Sequence, residues 1–469
     1  MAINLYNTMG RKVEEFKPID EKEVGLYTCG PTVYNYAHIG NLRTFIFEDI
    51  LKRVLTHSNY KVKHVMNITD VGHLTDDGDS GDDKMTKKAK ESGKSVWEIA
   101  SFYTDAFLSD ASDLNLVMPN VLCKATDHIG DMIKLIKRLE ENGHTYISGG
   151  NVYFSIDTFK DYGKLANQNL DDLKTAVRDD VSIDNNKKNP KDFVLWFTNS
   201  KFGEQQMMWD SPWGRGYPGW HIECSAMSMK YLGESFDIHC GGIDAIPVHH
   251  TNEIAQSEAA TNHKWVNYWV HGEFLLDETG KMSKSKGDFL TLSLLKTKGY
   301  DPMDYRFFVL GGHYRSQLRF NFDNLDTARK NRLTIVSKIQ EYLDNGANKI
   351  ELSNEKVVEL KNEFDDCVNN NLNMPKALAV LYKTIKSDLF ESEKYSLILY
   401  YDEVFGLRFD EVEKSKDDIP ENVLKLVENR ITAKKERDFA KADMIREEIN
   451  KLGYLLKDTP KGPILSKKM

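Results

Sequence analysis

Two short motifs carry side chains suited to handling a polyphosphate. Lys281-Met282-Ser283-Lys284-Ser285 sets two ammonium groups three positions apart, and His38-Ile39-Gly40-Asn41 stands where an apolar stretch and a loop feed a helical pattern. Expelling pyrophosphate from a nucleotide builds negative charge on the α-phosphate and on the leaving group. A helix N-terminus with free N–H groups can hold one side of that charge, and mobile ammonium groups can hold the other. Alone, the lysine pair fits a solvated loop equally well. Its pairing with the HIGN element is what favours nucleotide chemistry.

A second set of residues suits a metal. Cys29 closes the first apolar stretch, Cys224 lies within Gly219-Trp220-His221-Ile222-Glu223-Cys224, and His249-His250-Thr251-Asn252-Glu253 follows. His249 and Glu253 are four apart, so they share a face on a helix. Two thiols, an imidazole and a carboxylate make a tetrahedral zinc set. Sequence distance does not join them, and the same pattern fits two ordinary buried thiols beside a His pair that caps a helix. Cys123, Cys240 and Cys367 lack such company, and Cys367 reads as packing beside Leu360 and Phe364.

The positioning elements follow from periodicity. Residues 24–28 read as a buried strand ended by Gly30-Pro31. From Asn41, Leu42, Phe45, Ile46, Ile50 and Val54 recur at helical spacing, and residues 60–69 read as another strand. This β-α-β opening predicts a parallel sheet, with HIGN at a helix N-terminus. Residues 76–83 are an acidic, glycine-containing loop. Ser95 and Glu98 have capping-box spacing before a helix that turns Trp97, Ala100, Tyr103 and Phe107 inward. Ile129 to Leu139 form another helix, stopped at Gly143, and a hairpin turning at Gly149-Gly150 follows. Beyond residue 320, helical stretches at 325–343, 357–367, 376–390 and 395–405 predict a bundle. A charged linker at 410–418, one last helix reaching Leu452 and a small hairpin complete the reading. The expected fold class is α/β: a Rossmann-like parallel-sheet catalytic domain in two halves (1–114 and 216–320), with an α+β insertion at 115–215. An all-α bundle (321–409) and a C-terminal helix-plus-hairpin module (419–469) follow.

Composition excludes other classes. The chain has 469 residues, is 40% hydrophobic and 29% charged, and contains no apolar run long enough to span a membrane. Five scattered cysteines point to a reducing cytoplasm rather than a disulfide framework. Net charge is −9, yet residues 421–469 hold twelve Lys+Arg against eight Asp+Glu. A basic tail on an acidic body suits RNA gripped at chosen places.

Taken in order, Tyr27-Thr28-Cys29-Gly30-Pro31-Thr32-Val33-Tyr34, HIGN, Met66-Asn67-Ile68-Thr69-Asp70, the Gly219–Met227 stretch, the His249–Gln256 stretch and KMSKS resemble the cysteinyl-tRNA synthetases. These are class I aminoacyl-tRNA synthetases, and HIGN with KMSKS resembles their two ATP motifs. Asp438-Phe439-Ala440-Lys441-Ala442-Asp443 and Asp458-Thr459-Pro460 extend the likeness into the tail. The resemblance implies activation of L-cysteine by ATP with Mg²⁺, then transfer to tRNA(Cys). It implies one Zn²⁺ per chain on Cys29, Cys224, His249 and Glu253, with His250 a neighbour of the site. Cys29, Gly30, Thr69 and Trp220 would surround the substrate. His38, Gly40 and Asn41 would meet the ATP phosphates, Lys281 and Lys284 the departing pyrophosphate, and Arg430, Lys434, Phe439 and Asp458 the anticodon. A monomer is expected. Asn41, Thr251, Lys434 and Phe439 depart from the commoner family residues.

A metal answers a real difficulty. Packing separates cysteine from serine by only ~1–3 kcal/mol, whereas 10⁴-fold accuracy needs about 5.5 kcal/mol. Zinc binds a thiolate at ~2.3 Å and ionises a thiol of free pKa ~8.5, which a serine hydroxyl resists. The rival readings are a cysteine ligase with an amino-sugar acceptor, a zinc hydrolase and a silent RNA-binding paralogue. The first lacks the basic tail, the second leaves KMSKS idle, and the third leaves intact lysines without a purpose.

Overall fold

A computed structural model describes residues 2–72, 84–167, 185–199, 206–277, 280–281, 290–415, 420–459 and 462–467. The acidic loop at 76–83, Met282 to Ser285 of the lysine motif, and Pro460-Lys461 lie outside the described residues. The chain forms two compact units: residues 1–339 with 347–411, and residues 340–346 with 412–469.

The first unit is built on five parallel strands: β1 (Val24–Thr28), β2 (Val62–Ile68), β3 (Val121–Lys124), β4 (Phe236–Gly242) and β5 (Val266–Gly272). Their order is β5-β4-β1-β2-β3. Apart from Gly25, Lys63 and Asn267, every position of β1, β2 and β5 is buried. Near-continuous burial is expected of parallel strands covered on both faces. Chain order runs outward from β1 through β2 to β3, then restarts at β4 on the other side of β1. The gap between β1 and β4 is therefore the switch point, where open α/β sheets place their ligands at the carboxyl ends of the strands.

Helix α1 (Ile39–His57) follows β1, as its apolar spacing predicts. The segment expected as an insertion contributes β3 to this sheet, then builds a separate antiparallel sheet from Thr145–Ser148, Asn151–Phe154, Phe193–Phe197 and Tyr217–Pro218. The Ser95–Glu98 capping box is present, but Trp97 is 49% exposed and Val96 is buried instead. Ala100, Tyr103 and Phe107 are buried as the spacing predicts, so the inner face is the expected one and Trp97 alone departs from it.

Helices Glu355–Asn369, Met374–Lys386 and Glu391–Phe405 pack in the same unit, the last of them against α1. Arg306, fully buried, locks that junction. Its guanidinium donates to the Phe405 and Leu114 carbonyls at 2.6 and 2.9 Å and to the Asp49 carboxylate at 2.5 Å.

The second unit contains two helices, Glu421–Lys435 and Phe439–Lys451, where one continuous helix was expected. The break is at Arg437, whose φ is 62°. Asp438 then caps the next helix by accepting from the Lys441 N–H at 3.0 Å. A short capping side chain lets the backbone leave the helix and restart. The hairpin Tyr454–Thr459 with Gly462–Lys467 closes a small core of Val423, Ile445, Ile449, Tyr454 and Leu456.

Candidate metal centre and active site

Cys29 is the first residue past β1, and its N–H donates to the Cys240 carbonyl at 3.2 Å, carrying the β1–β4 ladder onto the switch point. The next residue, Gly30, donates its N–H to Asn67 Oδ1 at 2.8 Å. A Cβ at Gly30 would overlap the Asn67 carbonyl, so only glycine lets the end of β1 lie this close to β2. Cys224 lies on the buried side of α2 (Trp220–Leu232). A Cβ at its N-cap, Gly219, would likewise overlap the Val194 carbonyl, which sets how near α2 starts to the inserted sheet.

His249 and Glu253 come from a π-turn, Ile246–His250, that runs into α3 (Thr251–Thr261). The wider turn leaves two consecutive histidines buried at the site, a placement for which π-bulges are often used. One donor atom from each of Cys29, Cys224, His249 and Glu253 lies within 4.8 Å of the others. The structure thus brings together the four residues expected as ligands.

A second group, Cys29 with His239, His250 and Glu253, is equally close. Its imidazoles are already engaged. His239 Nε2 sits 2.8 Å from Glu253 Oε2 in a hydrogen bond. The two nitrogens of His250 face His271 Nε2 at 2.8 Å and Cys29 Sγ at 3.3 Å. In the first group, His249 pairs through Nδ1 with His221 at 2.9 Å. Its Nε2 lies 2.9 Å from Glu253 Oε1, a buried oxygen with no hydrogen-bond partner among the described residues. An imidazole nitrogen and a carboxylate oxygen that close, next to two sulfurs, form a donor set that suits a shared soft cation such as zinc.

The electrostatics agree. A hydrogen bond from Cys29, against the cost of burial, lowers the Cys224 thiol to about 7; the same bond and burial raise Cys29 well above its usual range. Burial disfavours charge on Glu253, yet His239 and His249 hold its carboxyl at about 2. Burial, with His239 nearby, pushes His271 down to about 3. The centre therefore holds an ionised Glu253 and a readily ionised Cys224 beside His249, whose pKa those two groups raise against the cost of burial. The bond from His239 to Glu253 orients that carboxylate as outer partners orient the ligands of a metal site.

The substrate-side residues are adjacent. The Thr69 hydroxyl donates to buried Glu223 at 3.2 Å and accepts from the Asn67 amide at 3.0 Å. Its proton is thus committed, and what it offers the cavity is a lone pair. The Trp220 ring lies 4.5 Å from that of His249.

His38 and Asn41 form a reciprocal cap on α1: the Asn41 N–H donates to His38 Nδ1 at 3.0 Å, and the His38 N–H donates to Asn41 Oδ1 at 3.3 Å. Asn41 therefore holds the shape of the helix start. The Ile39 N–H donates to the Leu290 carbonyl at 2.8 Å, so the chain leaving the lysine motif runs beside HIGN. Lys281 pairs through its backbone with Leu276; its side chain and Lys284 lie outside the described residues.

In the second unit, Arg430 is buried and its guanidinium grips Asp458 at 2.9 and 3.0 Å, with Lys434 on the same carboxylate at 2.7 Å. Phe439 is 61% exposed. Three of the four residues expected at the anticodon are thus tied to each other, and the ring stands free of them.

Sequence reasoning assigned no role to His221, Glu223, His239 or His271. His239 lies in the middle of β4 and His271 near the end of β5, the two strands on one side of the switch point, so drawing those strands beside β1 would have found them.

The family model described as the catalytic domain of class I (C) tRNA synthetases matches residues 15–330. The fold resembles a Mycobacterium tuberculosis methionyl-tRNA synthetase bound by methionyl-adenylate, with a TM-score of 0.60 at 14% identity, over 83% of this chain and 93% of that one. The cysteine–tRNA ligase of Treponema denticola is 51% identical over 98% of both chains. That of Borrelia turicatae is 46% identical over 98% of this chain and 99% of its own. With its converging Cys, Cys, His and Glu side chains, two motifs and full-length likeness to these proteins, the chain belongs to the cysteine–tRNA ligase family of class I synthetases.

Proposed function

We propose that the chain activates L-cysteine with ATP, forming cysteinyl-adenylate and pyrophosphate, and transfers the cysteinyl group to the 3′ end of tRNA(Cys). The observation that carries this reading is the convergence of Cys29, Cys224, His249 and Glu253 at the sheet's switch point, beside Thr69 and Trp220. Zinc bound by that quartet would supply a Lewis acid selective for the substrate's sulfur. Thr69, acting as an acceptor, suits the substrate ammonium, and Trp220 with Gly30 bounds the side chain. The carboxylate would then attack the α-phosphate in line, with catalysis resting on positioning and charge stabilisation. The start of α1, with His38, Gly40 and Asn41, would receive the phosphates; Mg²⁺ would accompany them. Lys281 and Lys284 would neutralise pyrophosphate as it departs.

Arg430, Lys434, Phe439 and Asp458 would serve the anticodon, with Phe439 stacking and the charged trio shaping the surface. We assign the chain to the cytoplasm and treat it as a monomer; among the described residues no helix is long and apolar enough to cross a membrane. An amino-sugar acceptor is disfavoured, because the likeness to tRNA ligases includes the tail. ATP–pyrophosphate exchange with each amino acid offered separately, followed by tRNA charging, tests the reading. Cysteine alone should support exchange, and equal exchange with serine would overturn the role given to the metal quartet.

A further inference from the structure

The loop from Cys29 to α1 carries Tyr36, two residues before His38. Its ring packs edge-on against Tyr103, centroids 5.1 Å apart, and Phe102, 6.0 Å apart. Tyr103 is buried and anchors the group, whereas Tyr36 and Phe102 are 38% and 44% exposed. Lys94 Nζ stands 5.0 Å from the centre of the Phe102 ring. Lys94 also ends the most basic stretch nearby: residues 84–94 hold five lysines and one glutamate in a chain of net charge −9. Helix Lys84–Ser92 packs on Val96–Asp113, turning Met85 and Ala89 inward. Exposed rings beside Lys94 thus stand at the loop that joins Cys29 to the ATP motif, and none of the chemistry described above uses them.

Stacking rings with adjacent cations are what an unpaired polynucleotide needs, since each base offers a π-face and each phosphate a charge. A duplex keeps its bases stacked on one another, so rings of this kind gain little from it. On the proposed function, the group that must approach an adenylate formed here is the single-stranded 3′ end of a tRNA. We propose that Tyr36 and Phe102, with Lys94, form the platform on which those unpaired nucleotides stack before entering the pocket.

The test compares Phe102→Ala, Phe102→Trp and Lys94→Ala in the full chain. Cysteine-dependent pyrophosphate exchange should match the unaltered chain for all three, which also shows that they fold. Phe102→Ala should raise the KM for tRNA roughly 5- to 150-fold, the range that loss of one base–ring stack produces. Phe102→Trp should restore charging, and Lys94→Ala should reduce the slope of log affinity against log salt by about 1. tRNA trimmed of its unpaired 3′ nucleotides should compete equally well against the unaltered chain and Phe102→Ala. Unchanged charging by Phe102→Ala would overturn the platform and leave the rings to a protein partner. Weaker competition by trimmed tRNA at that variant would overturn the 3′ end as occupant. An unaltered chain that performs exchange but charges no tRNA would instead defeat the underlying assignment.

Discussion

The quartet around Cys29 and the cluster around Asp458 both gather charged or ionisable groups within a few ångströms, and they end in opposite states. At Asp458 every charge is answered inside the protein: one carboxylate takes two bonds from Arg430 and one from Lys434. At the quartet, Cys224, His249 and Glu253 are all but sealed from solvent, and Glu253 Oε1 lies 2.9 Å from His249 Nε2 beside the two sulfurs. Paired charges build a surface. Converging lone pairs call for a cation, because leaving buried donors unanswered is costly.

The contrast is broken most directly at Cys224. Cys224→Ser should lose zinc by elemental analysis and depress cysteine-dependent exchange beyond the ~100-fold upper range for outer partners, with ATP affinity unchanged. Retained zinc, or equal losses for cysteine and ATP, would place the quartet with the Asp458 cluster as mere packing. Next comes His239→Leu, which removes the bond orienting Glu253 and should weaken zinc affinity ~10–100-fold in chelator competition. Unaltered affinity would show that Glu253 needs no outer support.

Arg430→Ala probes the other side. It should destabilise the second unit by about 1–2 kcal/mol, since the charge-assisted bonds end on a partly exposed carboxylate. Exchange should be untouched. If charging of tRNA falls while thermal melting does not move, Arg430 is an RNA contact and the idea of a self-satisfied cluster fails.

The smallest effect belongs to an intermediate case. His57 on α1 lies between Asp365 at 3.1 Å and Glu403 at 3.2 Å, with Lys361 and Tyr400 also on Asp365. Burial opposes its charge, but the two carboxylates raise its pKa to about 8. Its unfolded value is ~6.5, so the folded state binds the proton more tightly. The resulting stability is fully present below pH ~6.5 and is lost as pH rises through 8. About 1 kcal/mol should disappear between pH 6 and 9 in urea unfolding, discounted because Glu403 is largely exposed. His57→Phe should flatten that dependence.

What the sequence disclosed follows the same division. Cys29, Cys224, His249 and Glu253 could be named because their residue types are rare and their motif stretches long, and β1 and α1 because their periodicity is strong. His239 and His271 stayed hidden because a lone histidine inside an apolar strand carries no local signal; its meaning comes from strand order. Trp97 misled because ring size suggests burial, whereas Val96, Ile99, Ala100, Tyr103 and Phe107 already fill the inner face of its helix. Arg437 was unreadable as a break, since a left-handed arginine has no sequence signature. The mutual pairing of Arg430, Lys434 and Asp458 is a contact across 28 residues that spacing cannot supply.

Gly30 has a consequence for variation. The hydrogen it carries instead of a methyl group allows two neighbouring strand ends to touch, and any larger substituent would pry them apart while dragging the adjacent sulfur off its mark. A saturation library at this codon, screened for growth dependent on the chain, should return one amino acid. The tolerance of the whole pocket to change is thus set by a residue that contributes no chemistry of its own.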